Sequence, residues 1–195
     1  ETPVVLHTKT GDIFGTLTTP AVFKKIPVVL IIAGSGPTDR NCNNPLMKTD
    51  AYKMIATALA QHNIASIRYD KRGVAESKAA LKSESELRFE DYVNDAKQWI
   101  QLIQKDKRFS RIVIAGHSEG SLIGMLACSA GGNKFVSIAG PGQPADKVLK
   151  EQYSTQFPPI KEAAYTILDS LKMNLQVKNI QPVFYNIFRP SVQPY

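Results

Sequence analysis

The run IPVVLIIA at residues 26–33 constrains this chain more than any other segment. It holds no polar residue and is rich in β-branched side chains. A half-buried strand alternates polar and apolar residues. An unbroken apolar strand has both faces covered, and such strands belong to parallel sheets sandwiched between helices. The neighbouring sequence supplies the other pieces. Residues 64–69, 111–115 and 134–139 read as further strands. Residues 50–61 repeat apolar side chains at helical spacing (Met54, Ile55, Ala58, Leu59), with Asp50 placed to cap the first turn. Residues 89–105 carry Tyr92, Ala96, Ile100 and Ile103 on one stripe, and residues 122–129 read as a helix of small side chains. Strand and helix therefore alternate from residue 26 to residue 139, the pattern of a doubly wound α/β sheet. Residues 4–8 and 13–18 precede it as a hairpin around Thr10-Gly11-Asp12.

Beyond Pro141 the period changes. Residues 146–156 and 160–173 are helical, separated at Pro158-Pro159, and residues 181–188 fit a short third helix. We expect a core over residues 1–140 and a helical insertion lying over the sheet at residues 141–195. Composition narrows the function classes. The net charge is +7, but the 24 basic residues are scattered, with no basic stripe interleaved with aromatics, which argues against a nucleic-acid partner. No apolar run nears the roughly 18 residues of a membrane span. The two cysteines, Cys42 and Cys128, make neither a disulfide framework nor a CxxC metal pair, and no metal or organic cofactor is implied. The chain begins with Glu1 rather than Met. Removal of a signal peptide, with export, and trimming of a cytoplasmic chain explain this equally well.

The segment that carries chemistry is Gly116-His117-Ser118-Glu119-Gly120. The strand RIVIA enters it and the helix GSLIGMLACSA leaves it. A serine on so sharp a strand-to-helix bend is forced into an unfavourable backbone conformation that lifts its hydroxyl clear of the sheet. Strand and helix then pass so close that side chains two before and two after the serine would collide, and glycine stands at both positions. The helix N-terminus points amides and its positive dipole at the same place, where negative charge on an oxygen is stabilised. The loop after the 26–33 strand, Gly34-Ser35-Gly36-Pro37-Thr38-Asp39-Arg40-Asn41, is small enough for its amides to approach a carbonyl oxygen. It matches neither GxGxxG nor GxxxxGKS/T, which argues against a nucleotide site.

Three segments, IIAGSGPTDRN (31–41), IRYDKRG (67–73) and AGHSEGS (115–121), resemble in order and spacing the serine α/β-hydrolase superfamily, in particular its bacterial esterase-like members. The resemblance implies an α/β-hydrolase fold: a mostly parallel sheet, flanking helices and a helical cap insertion. It also implies hydrolysis of small-molecule carboxylic esters through an acyl-enzyme on Ser118. The backbone N–H groups of Ser35 and Glu119 become the expected oxyanion donors, with Gly36 as the alternative to Ser35. Asp70, Lys71 and Arg72 become a structural loop bordering the site, and Asp39 and Arg40 charges that pin the first loop. Cys42 departs from the pattern, since relatives commonly carry glycine there. Thioesterase, amidase or peptidase chemistry on the same fold is one alternative, and a non-catalytic binding module is another.

Ser118 also needs a base. In this superfamily the order is nucleophile, acid, histidine, and no histidine follows Ser118. His7 reads as a surface residue of the hairpin. His62 falls at a helix end, on the sheet edge opposite the serine. His117 adjoins the serine on a tight turn and is expected to pack or to line the pocket. Asp146 follows the last strand but lacks the placement of a triad acid. That strand, with FVSIA at residues 135–139, is uncharged internally and looks built to pair with a further strand. We therefore expect the N-terminal part of a longer hydrolase, incomplete at its C-terminus, with acid and histidine on a C-terminal complement of the same protein. Tyr153, Phe157, Tyr165 and Phe184 read as packing residues rather than an acyl pocket.

Overall fold

In the computed structural model, which describes residues 1–22 and 24–195, the leading hairpin is β1 (Thr2–Thr8) paired antiparallel with β2 (Gly11–Thr18). The apolar run becomes β3 (Ile26–Ile32). In the loop after it lies a minimal hairpin that the sequence pattern does not suggest, β4 (Asn43–Asn44) with β5 (Met47–Lys48). Helix α1 (Ala51–Gln61) leads to β6 (Ala65–Tyr69). Short 3-10 turns at Ala75–Ala80 and Glu84–Glu86 precede α2 (Phe89–Gln104). Strand β7 (Phe109–His117) turns into α3 (Glu119–Ala127), followed by β8 (Lys134–Ile138). The main sheet has the order β1-β2-β6-β3-β7-β8, with β6, β3, β7 and β8 parallel to one another. The α/β alternation expected from the sequence is the fold that forms.

The β3 side chains explain why its sequence has no polar residue. Val29 and Ile31 pack with Ala33, Tyr52, Ala56 and Ala115, in a layer that includes Ile55 and Leu59 of α1. Successive strand residues point to opposite faces, so Val28, Leu30 and Ile32 serve the other layer, and all three are fully buried. There Ile32 and Ile114 meet Gly124 of α3. On α2, Trp99, Ile100 and Ile103 are buried, and the Trp99 ring lies 5.4 Å from that of Tyr69. Each fully buried aliphatic side chain contributes roughly 1.5–3 kcal/mol. The register sets Ile31 beside Arg68 and Ile32 beside Gly116. The loops leaving β6, β3 and β7 therefore emerge side by side at one edge of the sheet.

Helix α1 corrects two expectations. Its buried stripe is Tyr52 and Ala56 with Ile55 and Leu59 beside them, whereas Met54 is 66 % exposed. Asp50 precedes the helix in a left-handed conformation (φ 51°, ψ 22°) and makes no capping bond. Its carboxylate instead accepts from Asn43 Nδ2 at 2.7 Å, so the β4–β5 hairpin outcompetes the cap. Two helices also shift. The one expected at 122–129 begins at Glu119, directly after Ser118, and the one expected at 181–188 is a 3-10 turn, Pro182–Phe184, before a single α-turn.

The chain divides into two units, Glu1–Lys82 with Phe89–Gly140, and Ser83–Arg88 with Pro141–Tyr195. In the first, Asp95 of α2 is a buried carboxylate that accepts from Arg72 Nε at 3.0 Å and Nη2 at 2.6 Å. Burial pushes the Asp95 pKa up, and Arg72 opposes that shift. The second unit holds α4 (Ala145–Gln156), α5 (Lys161–Lys172) and α6 (Tyr185–Phe188). Tyr153, Ala164, Ile167, Leu168, Phe184 and Phe188 form its core, with Tyr165 against them and Phe157 half exposed. Glu84 joins this unit by accepting from Arg189 Nε at 2.9 Å and Ser191 Oγ at 2.5 Å. The Arg189 bond holds the Glu84 carboxyl below its ordinary range. Among the described residues no helix is long and apolar enough to cross a membrane.

Where β7 becomes α3, backbones touch. A Cβ at Gly116 would lie 2.1 Å from the Gly120 oxygen, and one at Gly120 would lie 2.4 Å from the Ala33 oxygen. Gly116→Ala is expected to cost at least about 3 kcal/mol in urea unfolding, because the obstructing atoms are backbone and cannot swing away. Asp95→Ala leaves Arg72 buried without its counter-charge and is expected to cost about 3–5 kcal/mol in the same assay. Glu84 has a depressed folded-state pKa, so its stabilising contribution exists above its unfolded value of 4.5 and is lost as pH falls through the lower folded value. Glu84→Gln should therefore lower the melting temperature near neutrality, with the difference shrinking as pH falls below 4.5.

Candidate active site

Three neighbouring parallel strands deliver the candidate residues to one sheet edge: β7 brings Ser118 and Glu119, β3 brings Gly34 and Ser35, and β6 brings Asp70 and Lys71. The C-terminal ends of parallel strands are where α/β sheets place ligands. Ser118 has φ 51° and ψ −123°, a conformation that costs a non-glycine residue about 1–3 kcal/mol. Hydrogen bonds hold it there. Its N–H donates to the Ile138 oxygen at 2.9 Å, its carbonyl accepts the Ser121 N–H at 2.9 Å, and Ser121 Oγ donates to the Gly116 oxygen at 2.6 Å. The Ser118 side chain is half-buried, and among the described residues its Oγ has no hydrogen-bond partner. A Cβ at Gly34 would lie 3.1 Å from Ser118 Cβ, so the β3 loop lies directly against the serine.

Both expected donor loops leave amides available. Glu119 opens α3, and the first amides of a helix have no intrahelical acceptor. Ser35 and Gly36 are exposed, and among the described residues their amides donate to no protein acceptor. The rest of that loop is pinned by the expected charges. Asp39 Oδ1 accepts the Asn41 and Asn43 amides, each at 2.8 Å. The Arg40 amide and Nη2 each lie 2.6 Å from the Asp70 carboxylate, and Arg40 also bonds Glu76. Cys42 stands at φ 74°, in the left-handed region that favours glycine, which fits its departure from the resembling sequences.

The sequence reading missed Tyr52. Its hydroxyl lies 2.9 Å from His117 Nδ1 and accepts the Gly34 N–H at 3.3 Å. Burial pushes the Tyr52 pKa up to about 12. No local pattern marks this role, because only the tertiary approach of α1 to the β3 loop creates it. Lys71 is buried beside it, donating to the Gly34 oxygen at 2.6 Å and lying 3.6 Å from Glu119 Oε2. Burial pulls the Lys71 pKa down, opposed by the Glu119 carboxylate. The remaining histidines lie elsewhere in the fold. His7 is on the exposed hairpin, 2.8 Å from Asp12, and His62 is exposed at the C-cap of α1. Asp146 is held by Lys172 at 2.6 Å within the second unit. Among the described residues no cluster of three His, Cys, Asp or Glu side chains could hold a metal ion. Cavities of 430 and 670 Å³ open beside Arg108 and Phe109, at the far end of β7 from Ser118, too distant to hold an acyl group attached to it.

Residues 47–187 match the family described as serine aminopeptidase, S33. Over 141 residues the chain is 28 % identical to the esterase EstD of Thermotoga maritima, covering 71 % of this chain and 32 % of that protein. The α/β hydrolase GrgF from Penicillium sp. sh18 superposes with a TM-score of 0.63 at 13 % identity, over 98 % of this chain and 62 % of that one. Est1E from Butyrivibrio proteoclasticus, solved with ferulic acid bound, gives 0.53 at 19 % identity, over 65 % of this chain and 47 % of that one. This chain thus spans less than two thirds of each of these relatives. Because the family match runs through β6, β7 and β8 and contains the whole Ser118 turn, the chain belongs to the serine aminopeptidase S33 family and has the α/β-hydrolase fold.

Proposed function

We propose that this chain carries the nucleophile and oxyanion half of a carboxylic ester hydrolase. The observation that supports it most is the Ser118 backbone, held at φ 51° beside two sets of available amides. In the proposed reaction Ser118 Oγ attacks the ester carbonyl and its proton passes to a histidine. The Ser35 and Glu119 amides hold the tetrahedral oxyanion. The alcohol departs with the proton from the imidazolium, and water cleaves the acyl-enzyme with the same base. The acid and histidine would come from a C-terminal part of the same protein, because His7 and His62 stand apart from Ser118 and, among the described residues, His117 makes no hydrogen bond to Ser118 Oγ. Residues 141–195 would serve as the cap that sets acyl preference. Without the histidine, Ser118 stays a weak nucleophile, and these 195 residues alone would turn over slowly.

The likeness to the Thermotoga esterase favours esters. The description of the matched family favours a second reading, an aminopeptidase, in which a free substrate amino group is recognised beside the scissile amide. Kinetics on the complete protein decide. Ser118→Ala is expected to lower ester kcat by about 10,000-fold or more and to abolish labelling by a fluorophosphonate. Turnover of aminoacyl amides above that of matched esters would favour the peptidase. Unimpaired turnover by Ser118→Ala would remove Ser118 as nucleophile, whereas an unsubstituted complete protein that neither turns over nor takes the label would be a binding module.

A further inference from the structure

We propose that Lys71 is a positioning residue that aims and polarises the Ser35 amide toward the substrate oxyanion, an inference that rests on the Ser118 reading above. Lys71 follows β6, and its side chain is only 2 % exposed. The side chain turns inward among three elements. Nζ donates to the Gly34 oxygen at 2.6 Å, lies 3.6 Å from Glu119 Oε2 and sits 4.8 Å from the centre of the Tyr92 ring. Burying an ammonium is costly, and an apolar side chain would fill the same space more cheaply. Its presence calls for something that charge alone supplies.

The connection is covalent. The Gly34 carbonyl and the Ser35 N–H belong to one planar peptide unit. Among the described residues the peptide bonds are trans, so these two groups point in opposite directions. A bond that fixes the carbonyl therefore fixes the direction of the amide. A cation on that oxygen also draws electron density through the C–N resonance and makes the N–H a stronger donor. The preceding peptide unit is held as well, since the Gly34 N–H donates to Tyr52 Oη. Glu119 completes the arrangement: its carboxylate balances Lys71 while its backbone amide is the second proposed donor. One buried ammonium thus bears on both sides of the oxyanion site.

Lys71→Met in the complete protein removes the charge and keeps the length. With the acyl substrate turned over fastest, kcat is expected to fall roughly 10- to 100-fold, less than the loss of a whole oxyanion donor. KM should change by less than about twofold, because ground-state binding is untouched. Affinity for a trifluoromethyl ketone, whose serine adduct carries the oxyanion, should weaken by the same factor as kcat/KM. Lys71→Gln, which keeps an N–H donor without the charge, should fall between, and it alone decides the matter if Lys71→Met does not fold. Wild-type kcat in the folded variants, or a change confined to KM, overturns the proposal. The two readings fail separately. Full activity in Ser118→Ala sinks the nucleophile assignment, whereas an inactive Ser118→Ala beside fully active Lys71 variants sinks this inference only.

Discussion

The contact on which the site depends is between backbones. Gly120 packs so closely on the end of β3 that a methyl group there would meet the oxygens of Ile32 and Ala33 within 2.5 Å. This approach brings the first turn of α3 down onto the sheet edge and leaves Ser118 only a sharp bend to occupy. The strain is local and affordable on magnitude. A residue in that region costs about 1–3 kcal/mol, and each of the three hydrogen bonds around the bend returns about 1 kcal/mol. The strain therefore persists because the surrounding bonds over-determine it, while the hydroxyl it displaces remains half-exposed.

A second layer of constraint comes from charges beneath the same edge. Asp70, Lys71 and Arg72 are consecutive and all buried. Asp70 and Lys71 reach two points of the β3 loop, Arg40 and the Gly34 carbonyl, and Arg72 reaches helix α2 through Asp95. Buried ion pairs are poor sources of net stability, because desolvation consumes most of the Coulombic gain. Their value here is geometric. Apolar packing fixes strands to within the tolerance of side-chain rotamers, whereas a short charge-assisted bond fixes one atom against another. The amides proposed to face an incoming carbonyl require the second kind of precision.

Much of this was legible in the sequence because it follows from local patterns. The unbroken run of β3 announced two covered faces, and the Gly116 and Gly120 pair announced a close approach. Asp39 and Arg40 were readable as pins only through the resemblance to the α/β-hydrolase superfamily. What escaped depended on distant partners. Asp50 has the identity and position of a cap, yet Asn43 captures its carboxylate. Tyr52 carries no local signal, and its bonds to His117 and Gly34 exist only once α1 meets the β3 loop. The α1 stripe was misphased at Met54 and Ala58, both exposed, since an eleven-residue helix offers too few turns to fix its phase from sequence. Glu76 was invisible as a partner of Arg40 because a 3-10 turn brings it there.

Electrostatic and proton-transfer demands on the proposed site differ. Stabilising an oxyanion needs fixed dipoles that do not reorganise as charge develops, and rigid neighbouring strands supply that. Moving a proton needs a group whose pKa lies near the working pH and whose ring can accept and then release. Among the described residues His117 makes no hydrogen bond to Ser118 Oγ. Its Nδ1 lies 2.9 Å from the Tyr52 hydroxyl, and its ring, edge-on to Tyr52 at 5.9 Å, is held as part of the packing around Gly34. The neighbour of the serine therefore belongs to the rigid half of the proposed machinery. Among the described residues β8 ends the sheet order, so the Ser118 turn at the end of β7 lies one strand in from that edge.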